Sequence, residues 1–198
     1  MFKALRMLFP VFFFSLLTGC AGTDFVRPSS ETFKLGQTTY SQVVQQMGEP
    51  KKSGVVLKNG KNVISITYVY STTVGEPLEE GVIPVRAMSY YFHDNRLVGQ
   101  EFLSSFKSDN SNFDETKVAT ISKGKTTRAE VIQLLGRPSA NYIPPMVTET
   151  SGEAIGYIYQ TTRGGAFSGF KVFQKALMIT FDDKNRVLNI DYSSASTK

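Results

Sequence analysis

Residues 36–50 read GQTTYSQVVQQMGEP, and residues 124–138 read GKTTRAEVIQLLGRP. The two align without gaps, and Gly, Thr, Thr, Val, Gln, Gly and Pro recur at seven of the fifteen positions. Most of the rest exchange like for like, such as Val44 for Ile132 and Met47 for Leu135. Each phrase spells a short helix. Thr39 with Gln42, and Thr127 with Glu130, have the capping-box spacing, in which a Thr hydroxyl takes a backbone N–H that the first turn leaves unpaired. Val43, Val44 and Met47 fall on one helical face, as do Val131, Ile132 and Leu135. Gly48 and Gly136 sit where a left-handed residue closes a helix. Pro50 and Pro138 come next and cannot extend it. A helix of about eight to ten residues does not persist alone in water, so its apolar face must pack on something larger.

The strands after each phrase supply that surface. Ser53–Lys58 and Asn62–Ser71 read as strands around Asn59-Gly60, the strongest short hairpin signal. Arg86–Phe92 and Leu97–Leu103 form a second pair around His93–Arg96. The later half answers in order, with strands expected over Ala140–Thr150, Glu153–Thr161, Val172–Phe181 and Val187–Ser193. Tyr68-Val69-Tyr70 matches Tyr157-Ile158-Tyr159, Phe92 matches Phe181 and Arg96 matches Arg186. Self-similarity of this kind predicts a duplicated unit. The expected fold is α+β, with two tandem repeats, each a short helical segment followed by an antiparallel sheet of about four strands. Ser104–Thr120 is polar and turn-rich and is expected to be a solvated linker.

The first residues are read apart from the fold. Lys3 and Arg6 precede the apolar run Met7–Leu17, which is shorter than the roughly 20 residues a spanning helix needs. The run ends in Leu17-Thr18-Gly19-Cys20, which resembles a bacterial lipobox. Residues 1–19 are therefore expected to be a lipoprotein signal peptide, with Cys20 lipidated and residues 20–32 a tether. Acyl chains hold a protein on a membrane at about 0.8 kcal/mol per buried methylene. Cys20 is the one cysteine of the chain, which excludes an internal disulfide. Ala21 comes after it, and by resemblance to Gram-negative lipoproteins this implies sorting to the outer membrane, on the periplasmic side. Without Lys3 and Arg6 the formal charge falls from +5 to +3, a mild basicity that suits an anionic surface and is too weak to argue for nucleic acid.

The pattern Gly-x-Thr-x(4)-Val-x(4)-Gly-x-Pro, then Tyr-x-Tyr and a late Phe-turn-Arg hairpin, resembles the SmpA/OmlA (BamE-like) lipoprotein family. Gly36, Thr39, Val43, Gly48 and Pro50 carry it first, and Gly124, Thr127, Val131, Gly136 and Pro138 carry it again. The resemblance implies two units of that type, at 33–103 and 121–198, joined by the 104–120 linker. Their tandem arrangement is similar to the β-lactamase inhibitory protein fold.

No catalytic constellation is legible. His93, the one histidine, lies in the turn FHDNR, and no Gly-x-Ser-x-Gly elbow accompanies it. A chain this poor in histidine and thiol is a weak zinc candidate. The turn Asp182-Asp183-x-Asn185 is too short for a calcium cage, and turn carboxylates ordinarily bond the local backbone. Arg163–Gly169 is glycine-rich but lacks the Gly-Lys-Ser/Thr of a P-loop. TTxxxVxxxxG has a helix-turn-helix flavour, but strands come at once after it. No enzyme activity, cofactor or metal is expected.

Binding is expected instead at the connections 75–85 and 162–171, which occupy the same place in the two halves. The first is acidic (Glu76, Glu79, Glu80). The second is basic (Arg163, Lys171) and carries Phe167 and Phe170, residue types that anchor interfaces. The expectation is a non-enzymatic, lipid-anchored outer-membrane protein that binds or scaffolds another envelope protein, in outer-membrane protein assembly or envelope integrity. An inhibitor-type module against a periplasmic or foreign enzyme, and a cell-wall or lipid hydrolase, are the alternatives.

Overall fold

A computed structural model describes residues 22–29, 31–109, 111–148, 152–165 and 169–197. Residues 1–19, expected to be a signal peptide, and Cys20 and Phe167 lie outside the described residues. The elements are α1 (Tyr40–Met47), β1 (Lys52–Lys58), β2 (Lys61–Ser71), β3 (Val85–His93) and β4 (Arg96–Ser104). A 3-10 helix (Glu115–Thr120) is next, then α2 (Arg128–Leu135), β5 (Ala140–Tyr142), β6 (Glu153–Gly165), β7 (Gly169–Phe181) and β8 (Val187–Ser196). The eight strands form one antiparallel sheet in the order β1 to β8. The two sets of four strands meet at β4–β5, where Gly99, Gln100 and Glu101 pair with Tyr142, Asn141 and Ala140.

Both expected capping boxes are present. Thr39 Oγ1 accepts from Gln42 N at 3.3 Å and Gln42 Oε1 accepts from Thr39 N at 2.8 Å. Glu130 N donates to Thr127 Oγ1 at 3.3 Å, and Thr127 N donates to Glu130 Oε2 at 2.7 Å. Each helix buries one valine fully, Val43 in α1 and Val131 in α2. The closing glycines have positive φ as expected but a different ψ: Gly48 lies at φ 79°, ψ −169° and Gly136 at φ 84°, ψ −165°. This extended, positive-φ conformation is outside the left-handed helical well and is essentially confined to glycine.

The repeated residues clamp helix to sheet. Gly36 N donates to Leu97 O and Gly124 N to Val187 O, both at 2.7 Å. In return Leu97 N donates to Thr38 O and Val187 N to Thr126 O, both at 2.8 Å. Thr39 bridges Arg96, and Thr127 bridges Arg186. The tyrosines complete the clamp: Tyr68 Oη donates to Gly48 O at 2.8 Å, and Tyr157 Oη to Gly136 O at 2.9 Å. Four of the seven repeated residues, the two glycines and the two threonines, thus hold the helix to the sheet through their backbones.

Strand alternation then places the core on the helix-covered face. Val43 packs with Ile66, Tyr68, Met88, Tyr90 and Phe92, and Val131 with Ile155, Tyr157, Leu177 and Ile179. The opposite face carries its own smaller cluster at the join of β5 and β6. There Tyr142 and Ala154 pack with Val147 and Met146 of the segment after β5. Asn59 and Gly60, at φ 47° and 76°, make the tight β1–β2 turn that Asn-Gly predicts.

Three expectations are corrected. The strand expected over Ala140–Thr150 stops at Tyr142, because Pro144 and Pro145 have no N–H to continue a ladder. The 104–120 linker is not solvated throughout. Ser104, Ser105, Phe106 and Phe113 are buried, and Phe113 joins the second core, where its carbonyl accepts from Lys175 Nζ at 2.6 Å. The connection expected at 162–171 is largely strand: β6 and β7 stay paired out to Gly165 and Gly169. Glycine weakens a strand without forbidding one, and here both backbones keep their partners.

Candidate protein-binding surface

The two connections expected to bind a partner meet each other. Ile83 N donates to Thr162 O at 2.9 Å, and Val82 bridges Arg163. The Arg163 guanidinium ion-pairs with the Glu79 carboxylate and donates to the Glu80 carbonyl. Tyr159 Oη also donates to Glu79 Oε1, at 2.9 Å. Burial first, and this bond second, push the Tyr159 phenol above its ordinary range. The pair is about half exposed on each side, so it contributes no more than about 1 kcal/mol. Its role is to register the end of the first half against the long β6–β7 hairpin. Glu76, Phe170 and Lys171 stay exposed at that end of the sheet, Phe170 at 59%.

A second surface went unread in the sequence. β1 is one of the two edge strands of the sheet, with β8 the other, and every residue of β1 except Val56 is exposed. Val55 and Ile64 are register partners, and with Leu57 they share one face. Their exposures are 65%, 43% and 71% for Val55, Ile64 and Leu57. The same face of β2 continues into Ile66 and Tyr68, which α1 covers. Lys51, Lys52, Lys58 and Lys61 flank the patch. An unpaired edge offers a row of N–H and C=O groups, and lysines are the usual guard against indiscriminate pairing. The signal was present in KKSGVVLKNGK, but only the strand order reveals that this strand is an edge.

The chemistry-bearing residue types make local contacts. His93 Nδ1 lies 2.9 Å from Asn62 O, and Nε2 lies 3.4 Å from Asp94. The Asp182 carboxylate accepts from Arg186 N and Lys184 N at 2.8 and 2.9 Å. Those bonds, with Arg186 N first, hold it below the usual carboxylate range. Among the described residues no group of three or more His, Cys, Asp or Glu could hold a metal ion. Among the same residues no helix is long and apolar enough to cross a membrane.

Residues 112–191 match the family model described as the outer membrane protein assembly factor BamE domain. The match runs from just before the 3-10 helix through α2 to the middle of β8. It bears out, for this part of the chain, the SmpA/OmlA resemblance carried by Gly124, Thr127, Val131, Gly136 and Pro138. A crystal structure from Streptococcus mutans, described as a "putative beta-lactamase inhibitor protein", is also similar. It has a TM-score of 0.42 at 14% identity, over 82% of this chain and 91% of that one. A likeness at that level carries no functional inference. A search of the curated proteins gave no match.

Proposed function

We propose that this chain is a non-enzymatic outer-membrane lipoprotein that faces the periplasm and binds or scaffolds another envelope protein. The observation that carries this reading is the BamE-domain match over 112–191. Several features support it. The paired clamps at Gly36, Thr38 and Tyr68 and at Gly124, Thr126 and Tyr157 favour two copies of one module, 33–103 and 121–198. Lipidation at Cys20 anchors the chain, and residues 20–32 lead from the anchor to the first module, packing on the sheet through Phe25 and Arg27. The partner docks along the free β1 edge, where a strand can add to the sheet, with Val55, Leu57 and Ile64 as its apolar footing. Glu76, Phe170 and Lys171 offer a second contact on the two connections that meet at Val82 and Arg163.

The test is crosslinking in living cells followed by capture of the lipoprotein. Recovery of barrel-assembly components supports the scaffold, whereas stoichiometric capture of a soluble hydrolase would replace it with an inhibitor. Turnover of peptidoglycan or phospholipid that one Ser or Asp substitution abolishes would refute the non-enzymatic assignment. Cys20→Ser should release the protein from membranes or leave it unprocessed, and unchanged retention with acylation would refute the anchor.

A further inference from the structure

The strongest unassigned feature is a cavity of about 170 Å³ at the junction of the two halves. Three arginines line it. Arg27 comes from the N-terminal segment, Arg128 from the first turn of α2, and Arg137 from just beyond that helix. Gln100 of β4 and Asn141 of β5, register partners at the join, form its floor. Ile132 contributes to its apolar side. No carboxylate is among these described lining residues.

The arginines are held by neutral groups. Arg27 donates to Pro138 O at 2.6 Å and lies 4.9 Å above the Phe102 ring. Arg137 donates to Pro28 O at 3.1 Å. Arg128 reaches Asn141 Oδ1 at 3.4 Å, while its Nε is buried and makes no hydrogen bond among the described residues. A buried donor of this kind is rare and calls for an acceptor. The nearby Asp109 is already engaged by Arg86 at 2.8 Å. Burial, and then the Arg137 charge, push the Arg27 pKa down to about 10, so it remains cationic at neutral pH. Three cations have thus been gathered around one space with no carboxylate among its described lining residues. The guanidinium fork matches a carboxylate in both shape and charge.

We propose that this cavity receives a carboxylate on a short apolar stem, the side chain of a glutamate from the protein partner. The space exceeds that of several waters at about 30 Å³ each, enough for a carboxylate and its methylenes. Arg128 and Arg137 grip the oxygens from the α2 side, and the methylenes lie against Ile132. That the carboxylate belongs to a protein rests on the function proposed above; that the cavity takes a carboxylate does not.

The test titrates glutarate into the full chain, labelled with ¹⁵N, while the arginine Nε–H resonances are followed at constant ionic strength. The expected result is a saturable shift of the Arg128 Nε–H signal, with binding weakened at least about tenfold in Arg137→Gln, as loss of one charge-assisted contact requires. Arg128→Gln should weaken it equally, read from the Arg27 signal, whereas Lys52→Gln should leave it unchanged. Each variant is first shown to melt with the parent. No saturable shift, or inorganic phosphate binding more tightly than glutarate, overturns the proposal. Neither outcome depends on the crosslinking result, so failure here and failure of the binding role are separable.

Discussion

Replacing Gly136 by alanine isolates a single backbone term. The residue closes α2 at φ 84°, ψ −165°, where an L-residue is strained by about 1–3 kcal/mol. A Cβ built there meets nothing within 4 Å, so packing neither adds to the cost nor relieves it. Rotating the peptide away is no cheaper. Gly136 N donates to Ile132 O at 2.8 Å, and its carbonyl accepts from Tyr157 Oη at 2.9 Å. Tyr157 is buried, and an orphaned buried hydroxyl itself costs about 1–3 kcal/mol. Either route therefore destabilises by the same amount. At about 2–4 °C per kcal/mol for a chain of this size, Tm should fall by roughly 2–12 °C. Gly48→Ala should behave alike, since its φ, its free Cβ position and its Tyr68 bond are equivalent. Gly54→Ala is the control. It lies in β1 without a positive φ, 3.8 Å from Ser65 Oγ, and should stay within about 0.5 kcal/mol of the parent. Thermal and urea unfolding followed by circular dichroism measures all three. A Gly136→Ala protein that melts with the parent would refute the reasoning, because no other contact could absorb the strain.

Three further outcomes are expected. Arg86 is buried and joins Asp109 at 2.8 Å with Phe25 O and Asp24. Arg86→Met should cost about 3–5 kcal/mol by leaving Asp109 without its cation, and Asp109→Asn in the same chain should restore part of that in a urea melt. Glu130 is held below the carboxylate range by the Thr127 backbone N–H and then its hydroxyl, as Asp182 is by Arg186 N. A depressed carboxylate stabilises above its unfolded pKa of about 4 and loses that contribution as pH falls further. Melting of the Glu130→Gln, Asp182→Asn protein should thus depend less on pH between about 5 and 3; Gln42 already fills the same cap without a charge, so the helix start survives. Leu57→Lys should change stability by under about 0.5 kcal/mol yet reduce crosslinked capture, and capture at the parental level would remove the β1 edge as the docking surface.

Local structure was legible because local chemistry writes it. The capping boxes, the Asn59-Gly60 turn and the tyrosine pairs each lie within a few residues of the groups they bond or at matching places in the two halves. What escaped reading was long-range. The Glu79–Arg163 contact joins residues 84 positions apart, and neither charge names the other in sequence. Phe113 looks solvated among Asn, Ser and Asp, yet the second core has room for its ring and Lys175 takes its carbonyl. Gly164 and Gly165 fell within the connection expected at 162–171, while the opposing strand kept both paired. The arginine cavity needs the N-terminal segment, β4, β5 and α2 to meet, and no periodicity encodes that meeting.

The strand order carries a kinetic consequence. Every strand lies beside its predecessor in the chain, so no strand waits for a later one to create its template. Loop closure between neighbours is fast, and topologies built from near-sequence contacts fold quickly. A polypeptide arriving N-terminus first can lay down this sheet as it emerges, each hairpin seeding the next. The growing rim is open to capture by other chains as it advances, and β1 and β8 are left as the two edges of the finished sheet.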